Sequence, residues 1–240
     1  SSSDARFVEM LAASYGLSFV GTREELGSSS SEALARTRRY IFLRREAKRL
    51  SAKIVTAHHA DDVVETIAIN LTRGTGWRGL SVMDSDEIVR PLLGMSKDDI
   101  RERAKKLRLE WVEDSTNAEY VYLRNRLRSK LKSRMSRKQY EEVIGLWNRQ
   151  RYLKRQIDKE IEHCLSTGKQ SRYFFTNMDQ KVAVELLRGV IVDHTNLSPT
   201  RPQVERALLS IKTAQPGSLC EVGDGVRLRF TTRMFIVETP

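Results

Sequence analysis

His58-His59-Ala60-Asp61-Asp62-Val63-Val64-Glu65-Thr66 follows an apolar run, Lys53-Ile54-Val55-Thr56-Ala57, and opens a helical pattern. At the far end of that pattern stands a glycine-punctuated loop, Arg73-Gly74-Thr75-Gly76-Trp77-Arg78-Gly79-Leu80. These two blocks decide the fold. A short β-rich run that passes straight into a helix is the start of a βαβ unit, and the strand-to-helix junction is where open α/β sheets place ligands. A helix over 61–71 puts Val63, Val64, Ile67 and Leu71 on one stripe, with Asp61 and Glu65 opposite and Asp62 at the flank. Carboxylates in the first turn also suit the positive end of a helix dipole. A bland account is therefore available for each residue: an N-capped helix with a solvated acidic face. Two His, two Asp and a Glu together at one strand end favour a polar site instead. Such carboxylates can hold magnesium and its nucleotide phosphates. Zinc is disfavoured, because no cysteine stands nearby to complete a tetrahedral set.

Working outward, helical spacing of Phe7, Val8, Leu11 and Ala12 predicts a helix over 4–15, and residues 17–20 read as a short strand. A long Arg-rich helix follows over 32–50, then the strand 53–57 and the helix 61–71. Ile88-Val89 reads as a short strand, Ser96 with Asp99 as a capping box for a helix to about residue 107, and 110–112 as a last short strand. Strands alternating with helices predict an α/β domain with a doubly wound parallel sheet. From about residue 120 the pattern changes. A basic helix over 120–132 is followed by one over 140–164, with Ile144, Trp147, Tyr152, Ile157 and Ile161 as inward positions. Two more helices are expected over 179–192 and 202–211. Leu219-Cys220-Glu221-Val222 and Val226-Arg227-Leu228-Arg229-Phe230 flank Gly223-Asp224-Gly225 as a hairpin, with a third strand over 234–237. The organisation expected is a larger domain over 1–135 and a smaller, mostly helical domain over 136–240 that ends in a β-meander.

The chain has 240 residues and is 40% hydrophobic, enough for a packed core in one large or two modest domains. It contains no run of eighteen apolar residues and no secretion signal, and its two cysteines, Cys164 and Cys220, are isolated. That pattern argues against a disulfide framework and is read as a reducing cytoplasm. The formal net charge is +11 and unevenly placed: residues 121–155 carry twelve Lys or Arg against two Asp or Glu. Tyr120, Tyr122, Trp147 and Tyr152 are interleaved with this basic stretch. A solvated charged helix would give the same composition, but the combination is also the footprint expected for an RNA backbone.

The two opening blocks resemble signature blocks of the tRNA(Ile)-lysidine synthetase family, within the PP-loop ATP pyrophosphatases. Further blocks agree in order: Glu32-Ala33-Leu34-Ala35-Arg36-Thr37-Arg38-Arg39-Tyr40, then Arg90-Pro91-Leu92-Leu93, Ser96-Lys97-Asp98-Asp99-Ile100, and Glu113-Asp114-Ser115-Thr116-Asn117 ahead of Arg124-Asn125-Arg126-Leu127-Arg128. The family's phosphate-cradling Ser-Gly-Gly-x-Asp-Ser loop is not matched; Gly27-Ser28-Ser29-Ser30-Ser31 has the wrong order and no Asp. Since such a loop binds pyrophosphate through backbone N–H groups, ATP binding by the chain as given is expected to be poor. The family usually has Gln where Val63 stands, and Val cannot supply that hydrogen bond.

The resemblance implies a PP-loop fold of the adenine nucleotide alpha hydrolase type and a two-step reaction. A wobble cytidine of tRNA(Ile) with a CAU anticodon is adenylated at its C2 oxygen by ATP. L-lysine then displaces AMP to leave lysidine. ATP and magnesium are the implied cofactors, a membrane is not a partner, and a homodimer is left open. The resemblance places Asp61, Asp62, Glu65 and His58 in catalysis, with Asp61 and Asp62 also serving magnesium. Gly74, Thr75, Gly76 and Arg124 fall to the nucleotide. Arg36, Arg39, Arg128, Lys130 and Lys132 fall to the tRNA. Asp114, Asn117 and Asn125 complete the last block. Two rivals stand beside this reading. One is a tRNA sulfur transferase of the same superfamily, whose catalytic cysteines Cys164 and Cys220 do not supply in a paired motif. The other is a non-catalytic tRNA-binding relative.

Overall fold

A computed structural model describes residues 2–25, 32–112, 123–166 and 170–239. By its internal contacts the chain falls into two units. The first is Ser1–Arg73 with Val82–Ile144; the second is Gly74–Ser81 with Gly145–Pro240. The glycine loop therefore groups with the second unit, although the chain leaves and re-enters the first on either side of it. No composition shift announces that arrangement.

The first unit carries α1 (Ser2–Ser14), α2 (Glu32–Arg49), β1 (Ile54–Val55), α3 (Ala60–Thr72), β2 (Ile88–Val89), α4 (Lys97–Lys106) and α5 (Leu123–Arg134). β1 and β2 are parallel, with Ile54 opposite Ile88 and Val55 opposite Val89. Parallel neighbours need a crossover, and α3 supplies its helix. Strand alternation turns Ile54 and Ile88 into the core with Ala60, Val63, Val64 and Ile67, while Val55 and Val89 stay 62% and 41% exposed. α4 starts where the capping box predicts: Asp99 N–H donates to Ser96 Oγ at 3.1 Å, and Ser96 N–H donates to Asp99 Oδ2 at 3.0 Å.

Three expectations fail here. Residues 17–20 and 110–112 pair with no other strand among the described residues. A short apolar run is a strand only where a partner accepts its backbone bonds, and local pattern cannot supply one. Leu71 lies on the expected stripe but is exposed, because the core ends a turn earlier at Ile67.

The second unit holds most of α6 (Arg137–Ser166), then α7 (Arg172–Asn177), α8 (Gln180–Thr195), α9 (Arg201–Thr213) and the antiparallel meander β3 (Leu219–Gly223), β4 (Val226–Phe230), β5 (Phe235–Glu238). Gly223 pairs with Val226, so the hairpin loop is Asp224-Gly225, both at positive φ, 52° and 79°. That is the type I′ geometry that Asp-Gly favours. Leu187 and Ile191 of α8, Leu208 and Ile211 of α9, and Leu228 and Phe235 of the meander share one core. Phe175 of α7, which periodicity did not reveal, packs edge-on to Phe235 at 5.3 Å between ring centroids. Of the inward positions expected on α6, Trp147 and Ile161 are buried, Ile144 and Ile157 half-buried, and Tyr152 exposed. A helix of thirty residues whose polar positions are mostly charged leaves that tyrosine on its solvated face.

Candidate active site

The site is built at the junction of β1 and α3. Thr56 N–H still donates to Val89 O at 3.0 Å, extending the parallel ladder by one residue. The chain then turns into α3 through His59, whose backbone is extended (φ −126°, ψ 179°) and whose N–H donates to Asp62 Oδ2 at 3.0 Å. Asp62 thus satisfies one donor that the helix start would otherwise leave orphaned. Ala60 N–H donates to Met95 O at 2.9 Å, and Lys97 N–H, at the head of α4, donates to Asp61 Oδ2 at 2.6 Å. Two helix N-termini, those of α3 and α4, are pinned together through one carboxylate.

His59 sits between the two aspartates. Its Nδ1 lies 3.3 Å from Asp61 Oδ2 and its Nε2 3.5 Å from Asp62 Oδ2. The Asp61 carboxylate 3.3 Å away, opposed by burial and reinforced by the charges of Asp62 and Glu65, holds the imidazole above its ordinary value. Burial pushes Asp61 upward, but the nearby His59 and the Lys97 N–H bond outweigh it and the carboxyl ends below its ordinary value. The resemblance places His58 at the cluster; the structure puts its Nδ1 2.8 Å from Thr56 Oγ1, and His59 meets both aspartates. Neighbouring histidines cannot be apportioned without the backbone turn that separates them.

Glu65, expected opposite the apolar stripe and in the cluster, is 3% exposed, with Oε1 2.5 Å from Arg128 Nε and Oε2 3.1 Å from Arg128 Nη2. The fork holds α5 against α3, and Glu65 raises the guanidinium's already high basicity. Arg128, expected at the tRNA, thus has an inward partner. No sequence pattern marks Tyr140 of α6. Its hydroxyl is buried with no hydrogen-bond partner among the described residues, and burial followed by the charges of Asp61, Asp99, Asp62 and Asp98 pushes the phenol well above its ordinary value.

On α2, Arg36 and Arg39 are exposed, and the Arg36 guanidinium lies 5.0 Å from the Tyr40 ring centre. Lys130 is exposed on α5. Asp114 and Asn117 lie outside the described residues, as do the side chains of Arg124, Asn125 and Lys132. Among the described residues no group of three His, Cys, Asp or Glu side chains converges as a metal cage. Two carboxylates still suit magnesium, which keeps waters and takes its other oxygens from phosphates.

In the second unit the glycine loop has its own logic. Gly74 has φ +71°, and a Cβ at Gly79 would fall 1.8 Å from Thr75 Oγ1, so Thr75 folds over a position that must be glycine. A Cβ at Gly74 or Gly76 would meet nothing, which leaves the backbone open there. Residues Trp77–Leu80 form a 3-10 turn. Arg78, in that turn, is paired with Asp158 and Glu185, both at 2.8 Å.

The chain is similar in sequence to curated tRNA(Ile)-lysidine synthases. The tRNA(Ile)-lysidine synthase of Coxiella burnetii is 38% identical over 141 residues, covering 56% of this chain and 29% of that protein. That of Geobacter sulfurreducens is 37% identical over 142 residues, covering 55% of this chain and 30% of its own length. That of Thermosipho africanus is 29% identical over 188 residues, covering 74% of this chain and 43% of that protein. The chain spans less than half the length of each of these relatives. The PP-loop domain family matches residues 1–135, more than half of the sequence, and the chain belongs to that family.

Proposed function

We propose that this chain is part of an enzyme that uses ATP to join L-lysine to C2 of the wobble cytidine in a CAU-anticodon tRNA(Ile). The observation that carries the reading is the Asp61–His59–Asp62 cluster at the carboxyl end of β1, in a chain whose relatives carry that name. In the first step the cytidine C2 oxygen attacks the α-phosphorus of ATP and pyrophosphate leaves. In the second, the amine of lysine attacks C2 and AMP leaves. Magnesium, held by Asp61 and Asp62, would neutralise charge on the phosphates.

The protein's own groups do the rest. The two ionised aspartates favour the approach of an ammonium group. That amine must lose a proton before it attacks, and neutral His59, made more basic by Asp61, is the acceptor. The loop at Gly74, Thr75 and Gly76 lets backbone approach a nucleotide closely. Arg36, Arg39 and Lys130 supply cations to the tRNA backbone. The doubly wound sheet belongs to the same reading. Val55 and Val89 give the β1–β2 pair an exposed apolar face, of the kind that helices cover in parallel sheets. Cytoplasmic location follows from the substrate; among the described residues no helix is long and apolar enough to cross a membrane.

The test is AMP release by the full-length protein. Release that requires both lysine and CAU-anticodon tRNA(Ile) supports the reading. Release with sulfide donors in place of lysine would favour the sulfur-transfer chemistry, although Cys164 and Cys220 both pack against the second unit's core.

A further inference from the structure

We propose that Arg78 is a positioning residue: its fork ties the glycine loop to α6 and α8 and thereby sets where Thr75 and Gly76 present their backbone. The inference deepens the function proposed above and rests on it for the identity of the substrate. Arg78 is 17% exposed in its side chain, unusual for an arginine in a surface loop. Its Nη1 donates to Asp158 Oδ1 of α6 at 2.8 Å and its Nε to Glu185 Oε2 of α8 at 2.8 Å. The other oxygen of each carboxylate is also taken. Trp77 Nε1 donates to Glu185 Oε1 at 3.2 Å, and Lys154 Nζ donates to Asp158 Oδ2 at 2.7 Å. The Arg78 guanidinium stacks on the Trp77 ring at 4.7 Å. Two consecutive loop residues are thus held by two helices.

Only a planar fork reaches two carboxylates on two helices at once; a lysine ammonium is a single point charge on a flexible stem. The hold is transmitted within the loop by contact. Gly79, next to Arg78, lies under the Thr75 side chain with no room for a Cβ. Fixing Arg78 therefore fixes the turn on which Thr75 rests, while the backbone at Gly74 and Gly76 stays open for a ligand. Arg188, three residues after Glu185, is a further cation of this cluster; burial, and then the charge of Arg78, lower its pKa. The carboxylates here are outnumbered by cations, so this network holds the chain rather than awaiting a positive ligand. Arg78 acts through the loop and touches no reacting atom.

The experiment uses the full-length protein with Arg78→Lys and Arg78→Ala. Amide hydrogen exchange at residues 75–81 and steady-state AMP release are measured side by side. Both variants should exchange faster at 75–81, with turnover lowered about a hundredfold, the cost of a misplacement of about 1 Å. The KM for tRNA should stay within about twofold, since uniform binding is not what is lost. Guanidinium ion added to the alanine variant should restore turnover in a saturable way, which a merely unfolded protein would not show. Unchanged exchange, or faster exchange with turnover intact, overturns the inference. So does a rise in the KM for tRNA with turnover preserved, which would make Arg78 a phosphate ligand. A wild-type protein without lysine-dependent release sinks the function proposed above, while the exchange data still decide whether Arg78 holds the loop.

Discussion

Two carboxylate clusters in this molecule reach opposite charge balances. At the head of α3, Asp61 and Asp62 share one histidine. In the second unit, Asp158 and Glu185 are met by Arg78 and Lys154, with Arg188 close by. Among the described residues the first is under-neutralised and partly open, and the second is fully paired. A carboxylate whose oxygens are all committed to cations is scaffold, and one that shares a titrating histidine has charge left for a ligand. Glu65, one turn along α3 from Asp61, has both its oxygens on the Arg128 guanidinium.

Breaking that closed pair should have the largest effect on stability. Arg128→Ala leaves a buried carboxylate without its partner. We expect a loss of about 2–3 kcal/mol, below the full cost of breaking a buried pair because solvent reaches Arg128. Denaturant unfolding checks this, and Glu65→Met with Arg128→Met should recover most of the loss. A smaller effect of opposite sign is expected at Tyr140. Its hydroxyl is buried among carboxylate charges without a hydrogen bond to any described residue, so Tyr140→Phe should stabilise the protein by about 1 kcal/mol. Destabilisation on that change would show that the hydroxyl is committed to a partner.

The smallest effect is in the pH dependence. The folded value of His59 is raised, so its stabilisation is complete below its ordinary value of 6.5 and is lost as pH rises through the folded value. The folded value of Asp61 is lowered, so its contribution is present above its ordinary 3.8 and lost as pH falls through the folded value. The pair is therefore intact across the mildly acidic range between them. Thermal melts should show a shallow decline above about pH 6.5 that Asp61→Asn flattens. An unchanged slope in that variant would separate the two groups.

What could be read from the chain follows the range of the interactions involved. The Ser96–Asp99 box, Ile88-Val89 and the Asp224-Gly225 turn are local, and each lies where its residues place it. The burial of Glu65 depends on Arg128, and the anchoring of Arg78 depends on Asp158 and Glu185, far along the chain. No periodicity encodes those partners. The strand expected over 17–20 failed for the same reason, since pairing is a long-range property. The choice of His59 over His58 turned on the φ and ψ of one cap residue. Even so, the acidic junction itself was legible, because two aspartates straight after a β-rich run are a local signal.

The central claim is that this under-neutralised cluster is where lysine reacts. Asp62→Asn tests it most directly, because an amide oxygen can still accept the His59 N–H and keep the helix start intact. In the full-length protein we expect lysine-dependent AMP release to fall by about 10²–10⁴-fold, with tRNA affinity and melting temperature essentially unchanged. Release at the wild-type rate, or loss of tRNA binding in proportion to activity, would contradict the account.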